Sequence, residues 1–233
     1  MVQRRVRIWD LPTRIFHWSL ALTVFAAVAT GQIGGNWIDW HARLGLLATG
    51  MVAFRLLWGL LGSTYARFAQ FFPTPAAIRA YLAGTWRGLG HNPLGALSVF
   101  ALLGLLTVQI ASGLFANDDI AFTGPLYDLV GKEASNRLTG LHHRLGTLLL
   151  VLVVLHVAAV MFYVHVRKQN LLKPMLSGEK EVEEAAGECA RGGGLRPFLL
   201  ALAIALLAVY GASGRWLSPP PAAVPAAVAA PAW

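Results

Sequence analysis

Two histidines in one apolar stretch, LHHRLGTLLLVLVVLHVAAV, are the residues most able to do chemistry here. His142 and His156 stand 14 residues apart. At about 100° per residue that is about 1400°, some 40° short of four turns, so both imidazoles leave one face of a helix. At 1.5 Å per residue they are separated by about 21 Å along the axis. An imidazole inside hydrocarbon is costly, so an ionisable residue there is a functional candidate by default. Two of them at opposite membrane depths imply two sites. The simplest occupants are two haems, each taking one axial nitrogen from this helix. His143 lies 13 residues before His156, about 220° around, and His165 nine residues after it, about 180° around; both face away and are read as non-ligands.

Three further histidines sit where helices begin. His17 follows Asp10-Leu11-Pro12-Thr13, a helix start signal of a capping residue and an early proline. His41 follows Asp39, the residue expected to cap a second apolar run. His91 precedes Asn92-Pro93 and is read as the residue that opens the third span, rather than as part of a quinone pocket or a haem edge.

The elements that must carry these residues are membrane spans. The chain has 233 residues, 56% of them hydrophobic and only 13% charged, with a mean hydropathy of +0.58; soluble domains carry about 25% charged residues. Apolar runs near 15–33, 41–61, 94–115, 141–166 and 197–212 predict five spans. The first resembles a secretory signal in outline, but its length, His17 and the spans behind it make it a retained anchor. Trp37 and Trp40 suit the membrane–water boundary. Residues 75–88, after Thr74, read as a short amphipathic helix lying in the interface.

Lysine and arginine placement orients the bundle. Of the 19 such residues, Arg43, Lys132, Arg137, Arg144 and Arg215 fall on one side, Arg55 falls inside a span and the other thirteen fall on the opposite side. The positive-inside rule then sets the amino terminus in the cytoplasm and, with five spans, the carboxyl terminus outside. The net charge of +8 is therefore a topological signal and not a nucleic-acid footprint. The single cysteine, Cys189, excludes a disulfide framework and a cysteine-rich metal cluster. No CxxCH is present for covalent haem, and no HExxH supports zinc. Arg55 needs either a haem propionate or an escape to the cytoplasmic surface by snorkelling, and snorkelling is the expected outcome.

Depth pairs the histidines. His17 and His156 both lie toward the cytoplasm, and His41 and His142 both lie toward the outside. Bis-histidine iron leaves no open position for oxygen, so electron transfer is the chemistry expected. The acidic segment 116–140 reads as an outward loop, either a docking surface for a basic partner or merely solvated. Residues 176–196 read as a charged, unstructured cytoplasmic linker, 197–214 as the fifth span, and 215–233 as an extended Pro/Ala tail.

The motifs PTRIFHW, DWHARLG, HNPLG and HHRLGTLLLVLVVLH resemble those of the bacterial cytochrome b561 family, which includes b-type membrane subunits of nickel–iron hydrogenases. The similarity covers about residues 5 to 175. It implies an all-α, integral-membrane four-helix bundle over residues 1–175 that holds two haem b groups, with a fifth C-terminal transmembrane helix added here. By position it implies His17, His41, His142 and His156 as axial ligands. It further implies an electron-transfer subunit in the bacterial inner membrane, working between the quinone pool and a periplasmic partner such as a c-type cytochrome or hydrogenase. The alternative is a stand-alone superoxide:quinone oxidoreductase.

Overall fold

A computed structural model describes residues 3–183 and 188–217. Five helices are long and apolar enough to cross a membrane: α1 (Leu11–Ile33), α2 (Ile38–Leu61), α4 (Pro93–Gly113), α5 (Lys132–His165) and α7 (Leu195–Ala212). Two short helices, α3 (Pro75–Leu82) and α6 (Leu172–Ser177), two strands, β1 (Gln3–Arg7) and β2 (Glu179–Glu183), and four single-turn 3-10 helices complete the described elements.

Start signals at Asp10, Thr74 and Asn92 act as caps, but Asp39 does not: it lies inside the first turn of α2, whose cap position is held by Trp37. Asp10 caps α1 by accepting the Thr13 backbone N–H at 2.7 Å, Thr74 caps α3, and Asn92 caps α4 through the Gly95 N–H at 2.7 Å. Each side-chain oxygen satisfies a donor that a helix start would otherwise leave open. Gly34 ends α1 with φ at +68°, a conformation that costs a side chain-bearing residue more than glycine.

Helix α2 is the hub. It packs against α1, α4 and α7, and α4 packs against α5. Val52, Leu103, Leu106 and Leu149 form the mid-bundle core, joined by Leu20, Val24, Phe68 and Val153. Large apolar side chains such as Leu22, Phe25, Val154 and Leu206 point outward, as a lipid-facing surface requires.

Helix α7 docks on α2 through small residues and stacked rings. Ala201 is fully buried and Ala205 nearly so, and Gly50 lets Val209 approach so closely that a Cβ there would stand 2.7 Å from its methyl. Phe54, Trp58 and Phe198 form an aromatic cluster with ring centres 5.8–6.3 Å apart. Without a hydrophobic driving force between helices in lipid, such close packing is what holds a helix in place. Trp58 also donates its indole N–H to Asp10 at 3.0 Å, which ties α2 to the start of α1.

Two segments differ from the sequence expectation. The charged stretch 176–196 is not structureless: β2 pairs antiparallel with β1, from Gln3 opposite Glu183 to Arg7 opposite Glu179. Val6 and Val182 are buried, and Glu181 bridges Arg5 at 3.7 Å and Lys173 at 3.1 Å. Opposed charge and two valines select this pairing, but the partners lie some 175 residues apart, beyond any local pattern. Residues 184–187 of that stretch, and 218–233 of the Pro/Ala tail, lie outside the described residues. The loop between α4 and α5 is also shorter than expected. Its expected last third or so, from Lys132, belongs to α5, whose 34 residues span about 51 Å against a hydrocarbon layer of about 30 Å. The remainder is a compact turn in which Asp118 accepts the backbone N–H groups of Ile120, Ala121 and Phe122, which hold its carboxyl below the usual range.

Candidate functional site

The fold brings four of the seven histidines together in two pairs. His17 of α1 and His156 of α5 have ring centres 6.5 Å apart. His41 of α2 and His142 of α5 have ring centres 5.9 Å apart, edge to face. Neither pair is joined by a hydrogen bond among the described residues. The mid-bundle core around Leu149 separates them.

Three of the four rings are held through Nδ1. That of His41 lies 2.8 Å from the Ala27 carbonyl and that of His142 lies 2.9 Å from the Gln109 carbonyl. A carbonyl only accepts, so both Nδ1 atoms carry the proton and both Nε2 atoms present a lone pair. The Nδ1 of His156 lies 3.2 Å from Ser98 Oγ. The Nδ1 of His17 is buried with no partner among the described residues. Orientation of one nitrogen so that the other can bind is the usual arrangement around a ligating histidine. The His41–His142 pair is also seated against glycines. A Cβ on Gly31 would stand 2.9 Å from the His41 ring, and one on Gly113 would stand 2.6 Å from the His142 ring.

These features fit a haem iron held between each pair: facing imidazoles, no direct bond between them, and Nε2 lone pairs on His41 and His142. That of His142 takes an N–H from the Gln109 side-chain amide at 3.2 Å, a contact that iron would replace. No cluster of three or more His, Cys, Asp or Glu side chains suited to another metal occurs among the described residues.

The other histidines sit elsewhere. His143 and His165 are exposed. His91 lies between Trp9 and Phe71, with ring centres 4.5 and 4.4 Å away. Loss of solvation, followed by the fields of Arg55, His17 and His156, pushes its pKa down to about 3, so it is neutral in the working range. It borders an aromatic cleft with Tyr65, Phe71, Phe72 and Trp86.

Arg55 does not snorkel. It is 4% exposed, and its guanidinium lies over the Phe68 ring at 4.7 Å. The connection after α2 folds back over it, which shuts the path to the surface that its place in the helix suggests. Sequence reasoning also missed Ser98, Gly31 and Gly113 as supports of the rings. Gln109 and Ser112 stood out as polar residues in an apolar span; Ser98 and the glycines gave no comparable signal.

A polytopic helical bundle with facing histidine pairs near its two ends defines a membrane protein of the haem-carrying kind. The chain belongs to the prokaryotic cytochrome b561 family, which it matches over residues 8–178. It is a b-type cytochrome, and its work is electron transfer. It is similar to a probable Ni/Fe-hydrogenase B-type cytochrome subunit of Rhodobacter capsulatus, with 25% identity covering 78% of this chain and 85% of that protein. A protein of the same description from Azotobacter vinelandii is also 25% identical, covering 76% and 88%. No solved structure gives a significant match.

Proposed function

We propose that the chain carries two haem b groups, an inner one between His17 and His156 and an outer one between His41 and His142, and conducts electrons between the quinone pool and a periplasmic redox partner. The observation that carries this reading is the facing of two histidine pairs about 21 Å apart along α5. Haem b supplies one-electron redox cycling with no open coordination site. The protein's part is to hold the imidazoles, through the Ala27 and Gln109 carbonyls and Ser98, and to fill the space between the sites with apolar side chains that exclude water.

Lysine and arginine placement supports an inner-membrane topology with the amino terminus in the cytoplasm. The relatives named as hydrogenase cytochrome subunits support a hydrogenase-like partner on the periplasmic side. The aromatic cleft beside His91 supports a place for a flat quinone ring near the inner pair.

The test is haem stoichiometry and a reduced-minus-oxidised spectrum of the purified chain, followed by reduction with a quinol analogue. Two b haems per chain, reducible by quinol, are expected. A single haem, or none after expression with ample haem, overturns the reading. Quinone reduction by superoxide with the chain alone would point instead to a stand-alone enzyme.

A further inference from the structure

We propose that Arg55 is the carboxylate receptor of the inner site, taking a propionate of the haem held by His17 and His156. The inference rests on the two-haem reading above. Arg55 follows His41 on α2 by 14 residues, the spacing that separates His142 from His156 on α5. It therefore leaves α2 within about 40° of His41 and about 21 Å further along. His41 faces His142, and α2 and α5 run in the same direction through the bundle. The register carries Arg55 inward to the depth of His156.

Its surroundings leave it without an anion. Among the described residues the guanidinium makes no hydrogen bond or ion pair, and Nη1 is buried with no acceptor. The Phe68 face beneath it offers a cation–π contact, which accepts none of its five N–H donors in the plane. Asp10 is the acid whose field reaches it, but Asp10 is already engaged. Oδ1 takes the Thr13 N–H, and Oδ2 takes the Trp58 indole and the Ser63 hydroxyl. A buried guanidinium without a partner is costly, and a carboxylate is the group that matches its fork. Haem b brings two.

The field of Arg55 reaches His91 together with those of His17 and His156, so the cation belongs to the neighbourhood of the inner pair. The ring contacts run the same way: Phe68 under Arg55 meets Phe71, which meets His91. A cation held there favours the electron-rich state of the inner iron over that of the outer one.

The test is a redox titration of the purified two-haem chain, wild type, R55K and R55Q, each loaded with haem b or with its dimethyl ester. In R55Q the electron affinity of the inner haem should fall about tenfold, 59 mV for a one-electron couple, with the outer haem unmoved and R55K close to wild type. The ester should bind the inner site of the wild type more weakly than haem b and lose little further affinity in R55Q, because both changes remove one interaction. The proposal is overturned if R55Q keeps both midpoints, or if the losses of binding caused by R55Q and by the ester add in full. Should R55Q fail to hold the inner haem, retention by R55K supports the assignment. Failure of both variants beside normal binding of the ester by the wild type sinks it. A wild-type chain with fewer than two haems would refute the two-haem reading itself, before any variant is compared.

Discussion

The rings of His17 and His156 face each other at 6.5 Å, although 139 residues separate them in the chain. His41 and His142 do the same at the other end of the bundle, at 5.9 Å. Helix α5 supplies one member of each pair, and α1 and α2 supply the others from opposite membrane faces. The sites can therefore be perturbed one at a time.

His156→Ala should remove the inner haem and leave most of the outer one; His142→Ala should do the reverse. Haem per chain and the number of waves in a redox titration check this. A two-haem spectrum unchanged in His156→Ala would exclude that residue as a ligand.

Gly113→Ala should damage the outer site alone. The added methyl would stand 2.6 Å from the His142 ring, and a ring held by the Gln109 carbonyl cannot retreat without losing that bond. The outer haem should bind about tenfold or more weakly, the effect of roughly 1.4 kcal/mol, or shift its potential. Haem titration into the apo chain reads this; equal effects on both haems would count against it.

The seat of α7 should tolerate little added volume. Gly50→Leu overpacks the contact with Val209 and should cost about 1–3 kcal/mol, seen as a lower midpoint of thermal unfolding in detergent. Gly104→Ala, where a Cβ meets nothing within 4 Å, is the control and should be near neutral.

The β1–β2 pair should weaken in acid. Lys173, then Arg5, holds the Glu181 carboxyl below its ordinary range. A carboxyl depressed in the folded state stabilises above its unfolded pKa, and that contribution is lost as pH falls through the depressed value. Amide exchange in residues 3–7 and 179–183 should therefore quicken, relative to the helices, below about pH 4.5. Glu181→Gln should abolish the pH dependence, and Val182→Asp should open the pair at neutral pH.

Much of this was legible beforehand. Five spans, the cap at Asp10, the helix start at Asn92-Pro93, and the register of His142 with His156 follow from local rules: apolar length, helix-opening prolines, and 3.6 residues per turn. Arg55 was legible as an anomaly but not in its fate. Whether a mid-span guanidinium escapes to water depends on what folds over it, and residues 62–72, with Phe68, return across its path. The β1–β2 pair was hidden because two short charged strands carry no signal until each meets the other.

The sequence by itself determined that the chain crosses the membrane as helices and that one helix bears two imidazoles on a face. Hydropathy and helical periodicity are properties of neighbouring residues, so one chain suffices to read them. Only the tertiary structure decided that the Ala27 and Gln109 carbonyls and Ser98 engage the rings, that Gly31 and Gly113 make room for them, and that Arg55 stays inside. Those outcomes depend on which helix faces which, and packing between distant segments settles that.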